Sequence, residues 1–248
     1  MNRLVKIILL AACLNMIQHT FAGPPLITDD PDTPGPDNWE IDIATTSEYA
    51  QHEWNLETPL LDMNYGIGEH IELTYELPWV VLVPASGGAS SGLGNSLLGV
   101  KWRFLDQTND WLDVSAYPQV EFNNPTSSVR RGLAEDGTSV MLPFEAGHRF
   151  GSLDIYGDAA WVWNEEGATG GFCGIAAEYE LSETFTVMGE LHDGFEHDFE
   201  NNQLVFNLGF RRTLTEHVSL IGSAGRMIFG PGNNPVDFMS YLALELTF

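Results

Sequence analysis

Acidic side chains recur at alternate positions along this chain, a pattern suited to attracting cations. Glu72, Thr74 and Glu76, for example, alternate with large apolar residues. Successive residues of a β-strand face opposite sides, so these carboxylates would share one face. The same alternation predicts a charged inner face made of Glu40, Asp42, Glu72, Glu76, Lys101, Arg103, Glu121, Glu145, Asp158, Glu178, Glu190, Arg211 and Glu245. Because acids dominate this set, we predict a polar interior that favours cations and repels anions.

A second group of metal-type ligands crowds one polar stretch. His192, Glu196, His197, Asp198 and Glu200 carry imidazoles and carboxylates, which bind divalent metals. Their order is not His-Glu-x-x-His, and nothing in the sequence places them on a helix. We therefore interpret this stretch as an acidic surface loop and predict no metal site.

Nucleophilic catalysis finds little support. Gly88-Ala-Ser90-Ser-Gly92 matches the hydrolase elbow formally, but that motif needs a strand-to-helix turn and here lies in a Gly/Ser-rich loop. No Ser–His pair is predicted on a shared outward face, as a lipid-acting barrel hydrolase would need. Cys173 is predicted to face outward as packing. We predict no catalytic residue, no enzymatic activity and no cofactor.

The elements that would position the charged face begin with the last strand. Leu242, Leu244, Leu246 and Phe248 alternate with Tyr241, Ala243, Glu245 and Thr247. A strand with one continuous apolar face that ends on an aromatic residue is typical of outer-membrane barrels, although a half-buried strand of a soluble sandwich alternates in the same way. We interpret Tyr241, Leu246 and Phe248 as a signal for the barrel-assembly machinery.

Period-two alternation runs through twelve candidate strands between Trp39 and Phe248, with a parity break near Pro59 that suggests a bulge or a loop end. Short connections fall at residues 66–70, 106–110, 149–152, 182–183 and 215–216. Long ones fall at 84–96, 123–139, 164–169, 193–202 and 230–237. With both termini in the periplasm, every short connection is a periplasmic turn and every long one an outer loop, as in bacterial barrels.

The N-terminus has the features of a secretory signal. Arg3 and Lys6 precede a short apolar stretch, and Ala22 ends a small-x-small cleavage site, which predicts a signal peptide over residues 1–22. Cys13 fits a lipoprotein processing box, a competing interpretation that would leave an unusually short signal. Residues 23–37, rich in proline and aspartate, are expected to form a periplasmic segment, and residues 38–248 the barrel.

Composition restricts the partners. The formal charge of −25 falls to −27 when Arg3 and Lys6 leave with the signal, leaving 8 Lys and Arg against 35 Asp and Glu. Such acidity excludes a nucleic-acid partner, which needs basic patches. Cys173 would be the single cysteine, so closure of the sheet must supply stability that a disulfide would otherwise give.

Several segments resemble a bacterial outer-membrane family that is labelled for the MetA-pathway of phenol degradation and often called transporters. They are Gly23-Pro-Pro-Leu-Ile-Thr-Asp-Asp-Pro31 followed by Trp39-Glu40, then Leu60-Leu-Asp-Met-Asn-Tyr-Gly66, Gly99-Val-Lys-Trp-Arg-Phe104, Leu142-Pro-Phe144, Phe206-Asn-Leu-Gly209 and Ser223-Ala-Gly-Arg226. The first is the most specific. The resemblance implies an outer-membrane barrel but implies little about the substrate, and no functional residue is carried over.

Together these patterns predict an all-β transmembrane antiparallel β-barrel of about twelve strands in the cell outer membrane, embedded in outer-membrane lipid. Its expected function is passive or gated passage of a small solute, apolar and aromatic ones included, through a narrow acidic lumen. A plugged structural or adhesion barrel that uses its outer loops is the main alternative. A lipid-acting outer-membrane hydrolase is the third.

Overall fold

A computed structural model describes residues 25–165, 169–196, 202–230 and 235–248, apart from the side chain of Ser127. The predicted signal peptide, residues 1–22 with Cys13, lies outside this part of the chain, as do His197, Asp198 and Glu200 of the polar stretch. Within the described residues, no helix is both long enough and apolar enough to cross a membrane.

Fourteen strand segments and one short helix make up the described structure. They are β1 (Trp39–Ala50), β2 (Glu53–Ile67), β3 (Ile71–Val83), β4 (Ser90–Leu93), β5 (Asn95–Leu105), β6 (Asp113–Ala116), β7 (Gln119–Asn123), α1 (Thr126–Val129), β8 (Thr138–Phe150), β9 (Leu153–Asn164), β10 (Thr169–Ser182), β11 (Phe185–Glu196), β12 (Gln203–Thr215), β13 (Val218–Phe229) and β14 (Val236–Thr247).

Two barrel strands are interrupted, so the fourteen segments form twelve strands. β4 continues into β5 through Gly94, whose amide still donates to Pro78 O at 3.1 Å. β6 continues into β7 through Tyr117 and Pro118, where Pro118 has no amide hydrogen to offer a ladder. The predicted number of about twelve strands is confirmed.

The sheet closes on itself. β1 pairs antiparallel with β14 from Glu40 opposite Thr247 to Ala50 opposite Val236. At the end of this seam, Trp39 N donates to Phe248 O at 2.7 Å and Phe248 N donates to Trp39 O at 3.1 Å. The first strand is therefore paired with the last, and a closed sheet is the condition for spanning a bilayer with strands.

Side chains alternate between the two faces as predicted. On β14, Tyr241, Ala243 and Glu245 are buried, whereas Leu242 and Leu244 are 53% and 45% exposed. Strands in a lipid bilayer show this pattern because apolar side chains face hydrocarbon and polar ones the interior. The parity break near Pro59 is also found: the pairing of β2 with β3 shifts register between Glu57 and Leu60.

The two rims differ. We call the rim that contains Trp39 and Phe248 the turn rim, and the opposite one the loop rim. At the loop rim the first connection is only the two-residue turn Gln51–His52, both with positive φ, whereas the connection from β7 to β8 contains α1. Leu133 of that longer loop is buried beside Gly92, so the loop folds against the inner face of the wall.

Candidate functional site

The lumen brings together the residues predicted to line it. All thirteen are buried or half-buried: Glu40, Asp42, Glu72, Glu76, Lys101, Arg103, Glu121, Glu145, Asp158, Glu178, Glu190, Arg211 and Glu245. They fall into three groups. One group contacts the N-terminal segment, which we define as residues 25–38, and a second lies on the wall built from β14, β1, β2 and β3. The remaining three, Glu121, Glu178 and Arg211, lie on β7, β10 and β12.

The N-terminal segment lies inside the barrel. Leu26, Ile27, Thr28 and Asp29 are all buried, with Ile27 completely so. This differs from the expected periplasmic position of residues 23–37. Proline and aspartate do exclude regular structure, as the sequence indicated, but they leave backbone amides free, and carboxylates of the barrel wall accept hydrogen bonds from them.

Glu190 of β11 holds the part of the segment that contains Ile27 and Thr28. Its carboxylate accepts hydrogen bonds from Ile27 N at 2.8 Å and Thr28 N at 2.7 Å. Asn207 Nδ2 donates to the same carboxylate at 2.6 Å and orients it. One residue further along, Asp29 N donates to Asp158 Oδ2 at 3.2 Å. Wall carboxylates therefore hold the segment by its backbone, and the charge of Glu190 is shared over three donors.

Lys101 of β5 fixes the middle of the segment. Its Nζ lies 2.9 Å from Asp29 Oδ2 and donates to Asp30 O at 2.7 Å. The same ammonium lies 3.5 Å from Glu145 Oε2 and 4.8 Å from the centroid of the Tyr117 ring. A buried ammonium is tolerated only when charges of opposite sign and acceptors surround it, as they do here.

The lower part of the segment is tied to the turn rim. Arg103 Nη1 donates to Asp32 Oδ1 at 2.8 Å, and its Nη2 donates to Glu69 O at 2.9 Å. Asp37 N then donates to Gly66 O at 3.0 Å. A Cβ on Gly66 would lie 1.8 Å from Gly35 O, so glycine at position 66 is what permits this approach of two backbones.

Apolar contacts complete the docking. Ile27 clusters with buried side chains of β12, β13 and β14: Val205, Met227, Val236 and Met239. Leu26 clusters with Tyr156, Ala176 and Met188 on the neighbouring strands. Gly174 makes room for Thr28, because a Cβ at that position would lie 2.1 Å from Thr28 Oγ1. Segment and wall thus pack as one core.

The wall built from β14, β1, β2 and β3 carries carboxylates. Asp42 on β1 stands directly opposite Glu245 on β14 and Asp62 on β2. Asp62 in turn stands opposite Glu76 on β3. We call these four residues the acidic row. Its inner-face neighbours include Asn64, whose Nδ2 donates to Asp62 Oδ1 at 3.2 Å.

Only one end of the acidic row meets a cation among the described residues. Arg211 Nη1 lies 3.0 Å from Glu245 Oε2. Asp42 instead accepts a hydrogen bond from the hydroxyl of Tyr241 at 2.8 Å. Sequence reasoning missed Asp62 because the parity break at Pro59 obscured its face, although its alternation with Leu61 and Met63 was a usable signal.

The three residues predicted as an assembly signal point to different sides. Tyr241 faces the lumen, where it is buried, whereas Phe248 is exposed at the turn rim and Leu246 is half-buried on the same outer face. Their role in assembly stays a prediction.

Cys173 is exposed on the outer face, as expected. The ring of His192 is buried against Phe172, with centroids 5.2 Å apart.

Glu178 and Glu121 lie nearer the ends of the lumen. Glu178 accepts a hydrogen bond from the Tyr156 hydroxyl at 2.8 Å, and Glu121 accepts one from Asn95 Nδ2 at 2.7 Å. Glu72 Oε1 accepts a hydrogen bond from Thr74 Oγ1 at 3.0 Å. Within the described ranges, no three His, Cys, Asp or Glu side chains are placed to hold a metal ion.

No protein-family model matches this chain, and no curated protein sequence matches it. Solved structures do match its fold. An outer-membrane channel from Pseudomonas putida F1 aligns over 94% of this chain and 100% of its own, with a TM-score of 0.63 and 15% identity. The KdgM porin, solved in complex with disordered oligogalacturonate, aligns over 84% and 99%, with a TM-score of 0.55 and 10% identity. The NanC porin aligns over 84% and 98%, with a TM-score of 0.57 and 9% identity. This chain therefore has the closed antiparallel barrel fold of outer-membrane channels and porins.

Proposed function

We propose that this protein is an outer-membrane channel that passes small cationic or neutral solutes through an acidic lumen narrowed by its own N-terminal segment. The apolar outer face supports a position in the outer membrane, because polar groups facing hydrocarbon would be costly. The C-terminal strand ending at Phe248 is the part that we propose the barrel-assembly machinery recognises.

The observation that carries this proposal is the unequal pairing of charges among the residues that line the lumen. Lys101 and Arg103, two of the three cations predicted to line the lumen, pair with Asp29 and Asp32 of the N-terminal segment. Their charges are thereby neutralised. The acidic row keeps Asp62 and Glu76 without a described cationic partner, so the field left in the lumen is negative. Such a field concentrates cations and excludes anions.

The ligand of a structural neighbour does not transfer. Oligogalacturonate, bound by the KdgM porin, is a polyanion, and the acidic row would repel it. The resemblance to the family labelled for phenol degradation supports a transporter role, carried chiefly by Gly23–Pro31 and Trp39. Aromatic solutes therefore stay among the proposed cargo. The label itself names a pathway and not a bound ligand.

A plugged barrel is the second candidate, and the docked N-terminal segment is the observation that favours it. Asp29, Ile27 and Thr28 fill the middle of the lumen from β5 across to β12. If the segment stays docked and seals the lumen, the loop between β7 and β8 becomes the functional surface. A folded protein that carries no current in a bilayer would establish this candidate.

The charge argument is tested with Asp62→Asn and Glu76→Gln in one protein. Each change keeps the side-chain shape and removes a negative charge from the acidic row. We expect the reversal potential in a tenfold KCl gradient to move toward zero relative to the unaltered protein. Glu183→Gln, in the turn between β10 and β11, removes one charge outside the lumen and serves as the control. An unchanged reversal potential in the double variant would contradict the role of the acidic row.

A further inference from the structure

The acidic row has a regular geometry that goes beyond general acidity. Glu245, Asp42, Asp62 and Glu76 are direct cross-strand neighbours on four consecutive strands. Adjacent strands lie about 4.8 Å apart, so the row places one carboxylate per strand at that interval. Because strands tilt in a closed barrel, a row at right angles to them climbs along the lumen.

The row extends from one rim toward the other. Glu245 lies near the turn rim, three residues before the C-terminus. Past Glu76, the same register continues through Leu97 to Glu121 on β7. Glu121 lies near the loop rim, two residues before that strand ends. A solute following this wall therefore meets carboxylates at nearly every step, with one apolar side chain between the last two.

Unpartnered acceptors mark the middle of the row. Asn64 is 7% exposed, and its amide lies against the row because Nδ2 donates to Asp62 Oδ1. Its Oδ1 has no hydrogen-bond partner in the described structure, and neither has Oδ1 of Asp42, which is 2% exposed. Buried acceptors without donors are costly. A ligand that brings donors and positive charge would satisfy both.

The spacing of the carboxylates in the acidic row determines which kind of cation fits it. A metal ion needs several ligands that converge on one point, and the described carboxylates offer no such group of three. The acidic row instead presents single carboxylates at regular intervals, which suits a chain of ammonium groups joined by short methylene spacers. Each ammonium brings donors only and would match the carboxylate oxygens of Asp42 and Asp62 and the carbonyl oxygen of Asn64.

We propose that the acidic row binds linear aliphatic polyamines, with successive ammonium groups on the carboxylates of Asp42, Asp62 and Glu76 and beside the Asn64 carbonyl. The proposal rests on the proposed function, since it names a substrate class for the same lumen. The docked N-terminal segment contributes by keeping Lys101 and Arg103 of the neighbouring strand β5 paired with Asp29 and Asp32, so that these cations do not compete for the row.

The test is isothermal titration of spermidine into the purified, folded protein in neutral detergent. We expect saturable binding, weakened about tenfold by Asp62→Asn and by Glu76→Gln, since each change removes a charged acceptor of an ammonium group. Glu183→Gln should bind as the unaltered protein does. Thermal unfolding of each variant shows whether it is folded before its titration is interpreted.

Two comparisons make the outcome decisive. Butylamine, with one ammonium, should bind much more weakly than spermidine, and Mg²⁺ should not displace spermidine at equal charge concentration. Equal binding of Mg²⁺, equal weakening by Glu183→Gln or no binding of spermidine would overturn the polyamine site. The channel proposal is judged separately: cation-selective current without spermidine binding would overturn only the site, whereas absent or anion-selective current would overturn the channel.

Discussion

The ammonium group of Lys101 lies 2.9 Å from the carboxylate of Asp29, joining a barrel strand to the N-terminal segment in the middle of the lumen. Both side chains are buried, and Glu145 is the next carboxylate at 3.5 Å. The contact decides two properties at once. It holds the segment inside the barrel, and it removes a positive charge from the lining of the conduit.

Replacing Lys101 by Met should release the segment. Removing one partner of a buried ion pair costs about 3–5 kcal/mol, because the remaining charge is left unpaired. We expect the amides of residues 26–29 to exchange hydrogen about a hundredfold faster, as about 3 kcal/mol corresponds to two powers of ten. Hydrogen-exchange mass spectrometry measures this rate. Lys101→Met combined with Asp29→Asn should recover part of the protection, and failure to recover any would argue against the pair as the anchor.

Deleting residues 25–34 should widen the conduit. The deletion removes the docked side chains but keeps Asp37 and its hydrogen bond to Gly66 at the turn rim. We expect a several-fold larger single-channel conductance and an unchanged barrel, because the strands pair with one another independently of the segment. Far-ultraviolet circular dichroism checks the barrel. A conductance equal to that of the intact protein would show that the segment does not limit the flow of ions.

Gly174→Val should displace the segment from a different strand. A Cβ at this position would lie 2.1 Å from Thr28 Oγ1 and 2.8 Å from Asp158 Oδ1, so both must move. Overpacking of this kind typically costs about 1–3 kcal/mol. We expect a larger conductance and faster exchange at residue 28. Ala177→Val, on the outer face of the same strand, is the matched control, and equal effects of the two changes would count against steric displacement.

Tyr241→Phe should destabilise the barrel seam. The change removes the hydroxyl that donates to Asp42 Oδ2 at 2.8 Å and leaves that buried carboxylate with one donor fewer. The expected loss of unfolding free energy is about 1–3 kcal/mol, measured by urea unfolding in detergent. Tyr179→Phe alters an exposed tyrosine of the outer face and should have little effect. A stability loss shared by both variants would mean that losing any tyrosine hydroxyl destabilises the barrel, and would count against a specific role of the bond to Asp42.

The barrel could be predicted from sequence because its physical rule is local. Alternation on β3 and β14 reports directly which side chains face lipid, and Glu72 or Tyr241 falls inside for the same reason. Even the bulge near Pro59 left a visible break in the alternation. The prediction of long outer loops was less complete, since the first connection at the loop rim is the two-residue turn Gln51–His52.

The docked segment could not be predicted in the same way. Its contacts join residues far apart in the chain, such as Thr28 with Glu190 and Asp32 with Arg103, and no periodic pattern records them. The composition of residues 23–37 indicates irregular structure, which is correct for the described part, but it does not indicate what accepts the hydrogen bonds of that backbone. The acidic row was hidden for a related reason: it becomes visible only when the strand registers are known.

The central claim is an acidic conduit whose remaining field is negative. The most direct test is the reversal potential of single channels formed by the mature, folded protein in a planar bilayer under a KCl gradient. The account predicts discrete openings of small conductance, with a reversal potential shifted from zero toward the equilibrium potential of potassium. A reversal potential shifted toward the equilibrium potential of chloride would contradict it, and so would a bilayer that carries no current although it contains demonstrably folded protein.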